Sequence, residues 1–277
     1  MSKSIASLFK KSGSQLGLDD QSSEILVQNL NASVMPLCVG SPFTAEEGET
    51  DDFRIIEFVL DCSGSMEGVE QELRAAFNDV VIPGLLGGAA DQVGAIRIGG
   101  LKFNGQVSRL WQGGFLPVTQ LPPLTAKEYK TSGSTALHKA VLDAVTDMTG
   151  FALQIAQKTG TNPECVLVCM SDGANNMPPD DTDGVFQVLS KLSPELVTTV
   201  FIGFETFENV DFRAVARALG FRDIAHSKAD PGETKDDQRR RFRHLMKVFS
   251  GSLVSRTSSS MAGSKPAANG STGFWTN

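Results

Sequence analysis

A run of apolar residues that ends abruptly in oxygen-bearing side chains is the feature that most limits what this chain can fold into. Residues 55–60 are apolar at all but one position, as in a buried strand. Asp61, Ser63 and Ser65 follow at alternate positions, and Gly64 between them lets the backbone turn sharply. A helical pattern comes next. This order of strand, oxygen-rich loop and helix is typical of an open α/β sheet, which binds ligands at the carboxyl ends of its strands.

The rest of the chain alternates between strand-like and helix-like patterns, which favours a parallel sheet with crossover helices. Asn104 and Gly105 lie between two β-prone runs and predict a hairpin, so one edge strand is expected to be antiparallel. We predict a doubly wound α/β fold with a mostly parallel central sheet and helices on both faces. The further strands are predicted at 92–103, 106–112, 165–170, 196–203 and 221–225, and the further helices from 136 onward and at 180–192, 209–219 and 236–254.

Changes in composition divide the chain into three parts. Residues 1–52 are predicted to be an N-terminal extension. Its first 22 residues are expected to be mobile or loosely docked, and residues 23–39 are expected to supply one or two edge strands. The extension ends in an acidic linker. Residues 53–254 form the predicted domain, and a loop at 83–88 is expected to break its first helix. Residues 255–277 are rich in Ser, Gly and Ala, which predicts a disordered tail.

Charge and hydropathy exclude several classes of partner. The net charge of −7 argues against nucleic acid or an anionic membrane as the general partner. No apolar run approaches the roughly 20 residues that span a bilayer, and the first residues lack the pattern of a signal peptide. We therefore expect a cytoplasmic location. The four cysteines lie mostly in apolar segments, which fits free buried thiols better than a disulfide framework.

Three separated loops carry the side chains that could do chemistry. Besides Asp61, Ser63 and Ser65, they offer Thr135 in a Ser-Gly-Ser-Thr turn before a helix and Asp172 after a buried strand. In a doubly wound sheet such loops can meet near the point where the strand order reverses. Three hydroxyls and two carboxylates are hard oxygen ligands of the kind that Mg²⁺ prefers.

Neutral hydroxyls around an ion leave it short of negative charge, so it attracts an incoming carboxylate. This favours a docking site over a reaction centre. Each part has a simpler explanation, because Asp-Gly pairs are common in turns and a Ser or Thr before a helix is a frequent N-cap. Only the metal hypothesis accounts for all three loops together.

Taken together, Asp61-x-Ser63-x-Ser65, Thr135 in Ser-Gly-Ser-Thr-Ala and Ser-Asp172-Gly resemble the metal-ion-dependent adhesion site (MIDAS) of von Willebrand factor A (VWA) domains. The resemblance runs from about residue 53 to 254. It implies that Ser63, Ser65 and Thr135 contact the metal directly and that Asp61 and Asp172 act through water. It also implies that an acidic residue of a partner, or water, takes the sixth position on Mg²⁺, with Mn²⁺ or Ca²⁺ as alternative ions.

Two further stretches are similar to the bacterial tellurium-resistance (TerY-like) branch of that family. They are the segment from Pro-Pro-Leu-Thr to Ser-Gly-Ser-Thr-Ala-Leu and the closing residues 241–255, although the chain lacks the zinc-ribbon tail of some members. The likeness implies a protein-binding module in a bacterial stress-response or defence complex. An ATPase, kinase or phosphatase is the kind of partner it suggests.

Enzyme hypotheses fit the same residues less well. A haloacid-dehalogenase-like phosphotransferase would need a second Asp where this chain has Ser63. The glycine-rich stretches lack the ending of a phosphate-binding loop, and no Gly-x-Ser-x-Gly elbow is present in the sequence. We expect a protein that is not an enzyme. The alternatives left open are a Mg²⁺-dependent phosphohydrolase and a structural assembly subunit with a vestigial site.

Overall fold

The computed structural model describes residues 3–32, 53–88, 95–205, 210–230, 232–261 and 274–275. Its strands are β1 (Arg54–Asp61), β2 (Ile96–Phe103), β3 (Val107–Arg109), β4 (Leu116–Pro117), β5 (Glu164–Ser171), β6 (Val197–Phe204) and β7 (Asp223–Ser227). Its α-helices are α1 (Lys3–Gln15), α2 (Asp20–Ala32), α3 (Glu70–Ala76), α4 (Ile82–Gly88), α5 (Leu137–Thr159), α6 (Thr182–Lys191), α7 (Phe212–Ala218) and α8 (Lys235–Met261). Short 3₁₀ turns cover Gly64–Val69 and Val118–Gln120, and a π-helical turn covers Phe77–Val81.

The strands that the structure describes form one seven-stranded sheet in the order β3-β2-β1-β5-β6-β7, with β4 also pairing with β2. β1, β2, β5, β6 and β7 are parallel, whereas β3 and β4 run antiparallel to β2. The predicted doubly wound fold and its antiparallel edge are therefore confirmed, and the hairpin at Asn104 and Gly105 joins β2 to β3 as expected. Because the chain first adds β2 to one side of β1 and later places β5 on the other, the strand order reverses between β1 and β5.

Each face of the sheet carries its own hydrophobic core. The α1, α2, α5, α6 and α7 helices pack on one face, around side chains such as Val59, Val141 and Phe201. The α3, α4 and α8 helices pack on the other face, around Phe58, Leu73 and Phe249. Every residue of β1 is buried, as expected for a central parallel strand that is covered on both faces.

The N-terminal residues form a docked helical hairpin. The described part of the extension forms α1 and α2. The predictions of a loose lead-in over residues 1–22 and of edge strands over 23–39 are therefore wrong for this part. Residues 33–52, which include the predicted linker, lie outside the described residues. Phe9 and Leu26 are buried in the core on the α5 side of the sheet. Asn29 donates to Asp143 (2.9 Å) and to Thr146 (3.1 Å) on α5. The hairpin thus covers the outer surface of α5.

The turn between α1 and α2 provides a test of how much this docking contributes. Gly17 has a φ of +92°, and a Cβ there would lie 2.6 Å from the backbone nitrogen of Ser193. Gly160 has a similar φ of +80°, but no atom of the described residues lies within 4 Å of its Cβ position. We expect Gly160→Ala to cost about 1–2 kcal/mol, from the left-handed backbone alone. Gly17→Ala should cost roughly 1–3 kcal/mol more, because the collision is with backbone.

Urea unfolding of both variants measures this difference. Equal losses of stability would contradict tight docking of the hairpin against the loop before β6.

The helix after β1 is longer than predicted. The prediction of a loop at 83–88 is wrong, because α4 continues through Pro83 to Gly88. The physical reason is the π-helical turn, in which the N–H of Ile82 bonds to the carbonyl of Phe77, five residues back. Pro83 then stands at the second residue of α4, next to the wide turn, and the helix proceeds without its N–H.

Part of the predicted disordered tail is ordered. The α8 helix runs to Met261, beyond the expected end at 254. Farther along, Phe274 is buried against Phe249 of α8, and its backbone N–H donates to Asp223 at the start of β7 (2.9 Å). Aromatic burial thus ties residues 274–275 to the domain. Residues 262–273 and 276–277 lie outside the described residues.

The cysteines in the described part of the chain are free and buried, as their apolar surroundings predicted. They are Cys62 at the end of β1 and two residues of β5, Cys165 and Cys169. Burial raises the pKa of the Cys62 thiol to about 11, so it is protonated at neutral pH. Cys38 lies outside the described residues.

Candidate functional site

The candidate site lies at the carboxyl ends of β1 and β5, where the strand order reverses. Asp61 is the last residue of β1, and Asp172 directly follows the last residue of β5. The two strands are parallel neighbours in register, with Leu60 opposite Met170. The fold therefore brings two loops from distant parts of the sequence to the edge where sheets of this kind bind ligands.

Three of the predicted ligands form a chain of hydrogen bonds. The Ser65 hydroxyl donates to Oδ1 of Asp172 (2.7 Å). The hydroxyls of Ser63 and Ser65 are 3.0 Å apart. Because the proton of Ser65 is directed to Asp172, Ser63 is the donor in this second bond. Ser63 and Asp172 are buried while Ser65, between them, is exposed, so the chain of oxygens reaches solvent at its middle member.

Asp61, the fourth predicted residue, is fully buried beneath these hydrogen-bonded oxygens and shapes the loop after β1. Its Oδ1 accepts the backbone N–H of Ser63 (2.8 Å), and its Oδ2 accepts the hydroxyl of Ser171 (2.6 Å). The hydroxyl of Tyr129 donates to the backbone carbonyl of Asp61. Each carboxylate oxygen keeps further lone pairs that could accept from a water molecule.

Thr135, the fifth predicted residue, joins the site through the loop after β5. Its backbone N–H donates to the side-chain oxygen of Asn176 (2.7 Å), and its carbonyl accepts the Asn176 N–H (3.0 Å). Its hydroxyl lies 3.7 Å from the position that a Cβ on Gly173 would take, so it faces the residue next to Asp172. The structure thus brings four predicted residues together by hydrogen bonds and places Thr135 on the adjoining loop.

Backbone hydrogen bonds hold the loop before α5 against the loop after β1. Gly64 N–H donates to Gly133 (3.0 Å), and Ser132 N–H donates to Cys62 (2.8 Å). Glu70 of α3 accepts both the N–H (2.8 Å) and the hydroxyl (2.7 Å) of Thr131. The hydroxyl-bearing loops are therefore fixed relative to one another before any ligand is added, as a preorganised site requires.

Sequence reasoning missed three residues that support the site. Ser171 orients Asp61, Asn176 clamps Thr135, and Tyr129 holds the end of β1. Two weak signals were available. Ser171 belongs to the same Ser-Asp-Gly turn as Asp172, and Tyr129 is the only tyrosine of the chain, in a segment with the composition of a loop.

The electrostatics of the site favour a cation. Burial, and secondarily the negative charge of Asp172, raise the pKa of Asp61 to about 7, although hydrogen bonds from Ser171 and Ser63 oppose the rise. Two carboxylates that repel each other at a buried strand end gain most from a positive charge between them. Burial also raises the pKa of Tyr129 well above its ordinary value, so its hydroxyl remains a donor at any physiological pH.

The donor set fits a hard divalent ion. Neighbouring ligands on an octahedral ion with bonds of 2.0–2.1 Å are about 2.9 Å apart, and the Ser63 and Ser65 hydroxyls are 3.0 Å apart. Both could therefore bind one ion with little movement. No group of three or more His, Cys, Asp or Glu side chains suited to a metal occurs among the described residues. The candidate site differs from such a group because hydroxyls supply most of its ligands.

No model of a known protein family matches this chain, and no curated protein matches it. Several solved structures match the chain at low identity. The PilB minor pilin from Streptococcus sanguinis matches with a TM-score of 0.47 and 12% identity, over 77% of this chain and 64% of that one. A von Willebrand factor type A protein from Catenulispora acidiphila matches with a TM-score of 0.47 and 15% identity, over 71% of this chain and 42% of that one.

The manganese-loaded TRAP protein of Plasmodium vivax matches with a TM-score of 0.39 and 15% identity, over 71% of this chain and 74% of that one. In the PilB and Catenulispora comparisons, the match spans less than two thirds of the other chain. All three identities are at most 15% and all three TM-scores are below 0.5. Membership of a family does not follow from such values.

Proposed function

We propose that this chain is a metal-dependent protein-binding module, which captures an acidic residue of a partner protein through a bound Mg²⁺ ion. In this proposal Ser63, Ser65 and Thr135 hold the ion directly, while Asp61 and Asp172 act through water. The observation that carries the proposal is the oxygen chain from Ser63 through Ser65 to Asp172, with Asp61 buried beneath it. When bound, the ion supplies a Lewis acid that can accept an outside carboxylate.

The surroundings of the site support binding rather than catalysis. His138, three residues after Thr135, is buried, and its Nδ1 accepts the backbone N–H of Asp181 (3.1 Å). Burial lowers the pKa of His138. In the neutral ring the nitrogen that lacks a proton is the one occupied by Asp181, so it is not free to take a proton from a group at the site. Cys62 stays a thiol, because burial raises its pKa to about 11. Both carboxylate oxygens of Asp61 accept structural hydrogen bonds, from the N–H of Ser63 and from the hydroxyl of Ser171.

The finer parts of the proposal rest on the resemblance of the motifs to VWA domains. By that resemblance the module works in the cytoplasm, in a bacterial stress-response or defence complex of the TerY-like kind, with an ATPase, kinase or phosphatase as partner. Mn²⁺ or Ca²⁺ could replace Mg²⁺. Among the residues that the structure describes, no helix combines the length and apolarity that a membrane span needs.

Two measurements on the full chain test the proposed function. Calorimetric titration with Mg²⁺ or Mn²⁺ should show saturable binding at one site. Pull-down from native lysate should capture a partner in Mg²⁺ and lose it in chelator. Absence of metal binding would favour the structural subunit with a vestigial site. Mg²⁺-dependent turnover of a generic phosphate ester, abolished by Asp61→Asn, would favour the phosphohydrolase.

A further inference from the structure

A second polar cleft lies beside the hairpin of β2 and β3, apart from the oxygen-lined loops. It has a volume of about 360 Å³, and its lining includes Lys102, Arg109, Trp111, Gln112, Lys127 and Glu128. Four of these six side chains offer only N–H donors, and the amide of Gln112 adds two more. In a chain with a net charge of −7, a cleft with three cationic side chains is a local reversal of charge.

Trp111 gives the cleft an unused hydrogen-bond donor. Its side chain is buried, and its ring lies over Gly100 of β2, where an added Cβ would come within 2.7 Å of the ring. Its indole N–H has no acceptor in the part of the chain that the structure describes. A buried donor without a partner costs roughly 1–3 kcal/mol. Because the indole nitrogen itself is covered, a ligand oxygen in the cleft would recover this energy once the side chains over the nitrogen move aside.

The charges of the cleft are cancelled only in part from within. The Arg109 guanidinium is paired with Asp147 of α5. The carboxylate of Glu128 accepts both the backbone N–H (3.1 Å) and the hydroxyl of Thr125. The bond from that hydroxyl and, to a smaller extent, the charge of Lys127 lower the pKa of Glu128, so this residue keeps its negative charge. The ammonium of Lys102 uses one donor on the backbone carbonyl of Glu128 and keeps two.

Lys102 and Lys127 therefore place two positive charges against the one negative charge of Glu128, beside further donor groups. We propose that this cleft binds a phosphate group, either free or carried by a ligand. A phosphate monoester bears about −1.5 to −2 charges at pH 7 and has oxygens for several donors. Its three terminal oxygens would accept from both lysines and from the neighbouring donors at once, whereas a carboxylate has only two oxygens. The inference does not depend on the metal site, because different residues carry it.

The indole N–H of Trp111 is also the probe. The chain has two tryptophans, so a ¹H–¹⁵N spectrum of the full-length protein contains two indole signals, and Trp275→Phe assigns them. Inorganic phosphate and O-phosphoserine are titrated in chelator, so that no metal contributes. We expect a saturable shift of the Trp111 signal and none at Trp275. Tighter binding of phosphoserine would indicate a phosphorylated ligand, and equal binding would indicate phosphate itself.

Variants of the two lysines complete the test. Lys102→Gln and Lys127→Gln should each weaken phosphate binding about fivefold or more, since each removes a charge-assisted contact. Lys11→Gln, an exposed position of α1 on the other face of the sheet, makes the same charge change and should leave binding unaltered. The proposal is overturned if phosphate does not move the Trp111 signal, if acetate at equal ionic strength moves it as much, or if all three variants bind alike.

Discussion

Asp172→Asn is expected to weaken Mg²⁺ binding by about 10- to 100-fold, the range seen when residues that support a metal site are changed. The substitution keeps the shape of the side chain and an oxygen that can accept the hydrogen bond from Ser65. It removes one of the two negative charges near the ion. Partner capture that depends on Mg²⁺ should fall in parallel, because the same ion bridges both proteins in the proposed function.

The same substitution should not destabilise the metal-free protein. The charge of Asp172 contributes to the raised pKa of Asp61, so its removal relieves a repulsion in the folded state. Metal-free Asp172→Asn should be at least as stable at pH 8 as the wild type in urea unfolding. Asp79→Asn, at an exposed position of the π-helical turn, is the control for loss of one negative charge. The proposed role of Asp172 fails if both variants bind Mg²⁺ like the wild type.

Metal-free protein is expected to lose stability as the pH rises from about 4 to about 7, through the titration of Asp61. Its pKa rises from the ordinary 3.8 to about 7 on folding. Between these values the folded chain keeps a proton that the unfolded chain has released, so raising the pH favours the unfolded state. The pKa difference corresponds to roughly 4 kcal/mol at 1.36 kcal/mol per pKa unit. Above pH 7 this contribution stays constant.

Bound Mg²⁺ should cancel this loss, because a cation beside Asp61 favours its ionised form. The difference in melting temperature between Mg²⁺ and chelator should therefore grow from pH 5 to pH 8. Asp61→Asn removes the titrating group and can still accept from Ser63 and donate to Ser171. Comparing the wild type with this variant cancels the effect of all other carboxylates. An identical pH profile for both chains would show that Asp61 does not titrate in this range.

The strands and helices with one clear pattern were predictable from the sequence. The apolar runs of β1, β5 and β6 have the length and β-branched content of buried strands, and α5 has a regular apolar face. The helices of the N-terminal extension were not predictable, and residues 25–30 show why. Ile25 and Val27 suggest alternation, but Leu26, Val27 and Leu30 share one face of a helix. A short segment of this kind fits both periods, and packing against α5 decides between them.

For the site, the sequence predicted which loops meet but not how they are held. The carboxyl ends of neighbouring parallel strands must lie together, so the proximity of Asp61 and Asp172 follows from fold class. The contacts of Tyr129 and Asn176 depend on the conformations of two irregular loops, which no periodicity encodes. In both cases the side chain bonds to a backbone group, which every residue has, so the residue type of the partner does not reveal the contact. That these residues bind a metal stays a prediction.

The hydrogen bond between Asp61 and Ser171 joins residues 110 positions apart. A ribosome must therefore synthesise the chain through β5, and β5 must pair with β1, before the two aspartates can face one ion. Products of interrupted translation that end before β5 would contain Asp61, Ser63 and Ser65 without Asp172. Under the proposed function, such fragments would not compete with the finished protein for magnesium or for its partner.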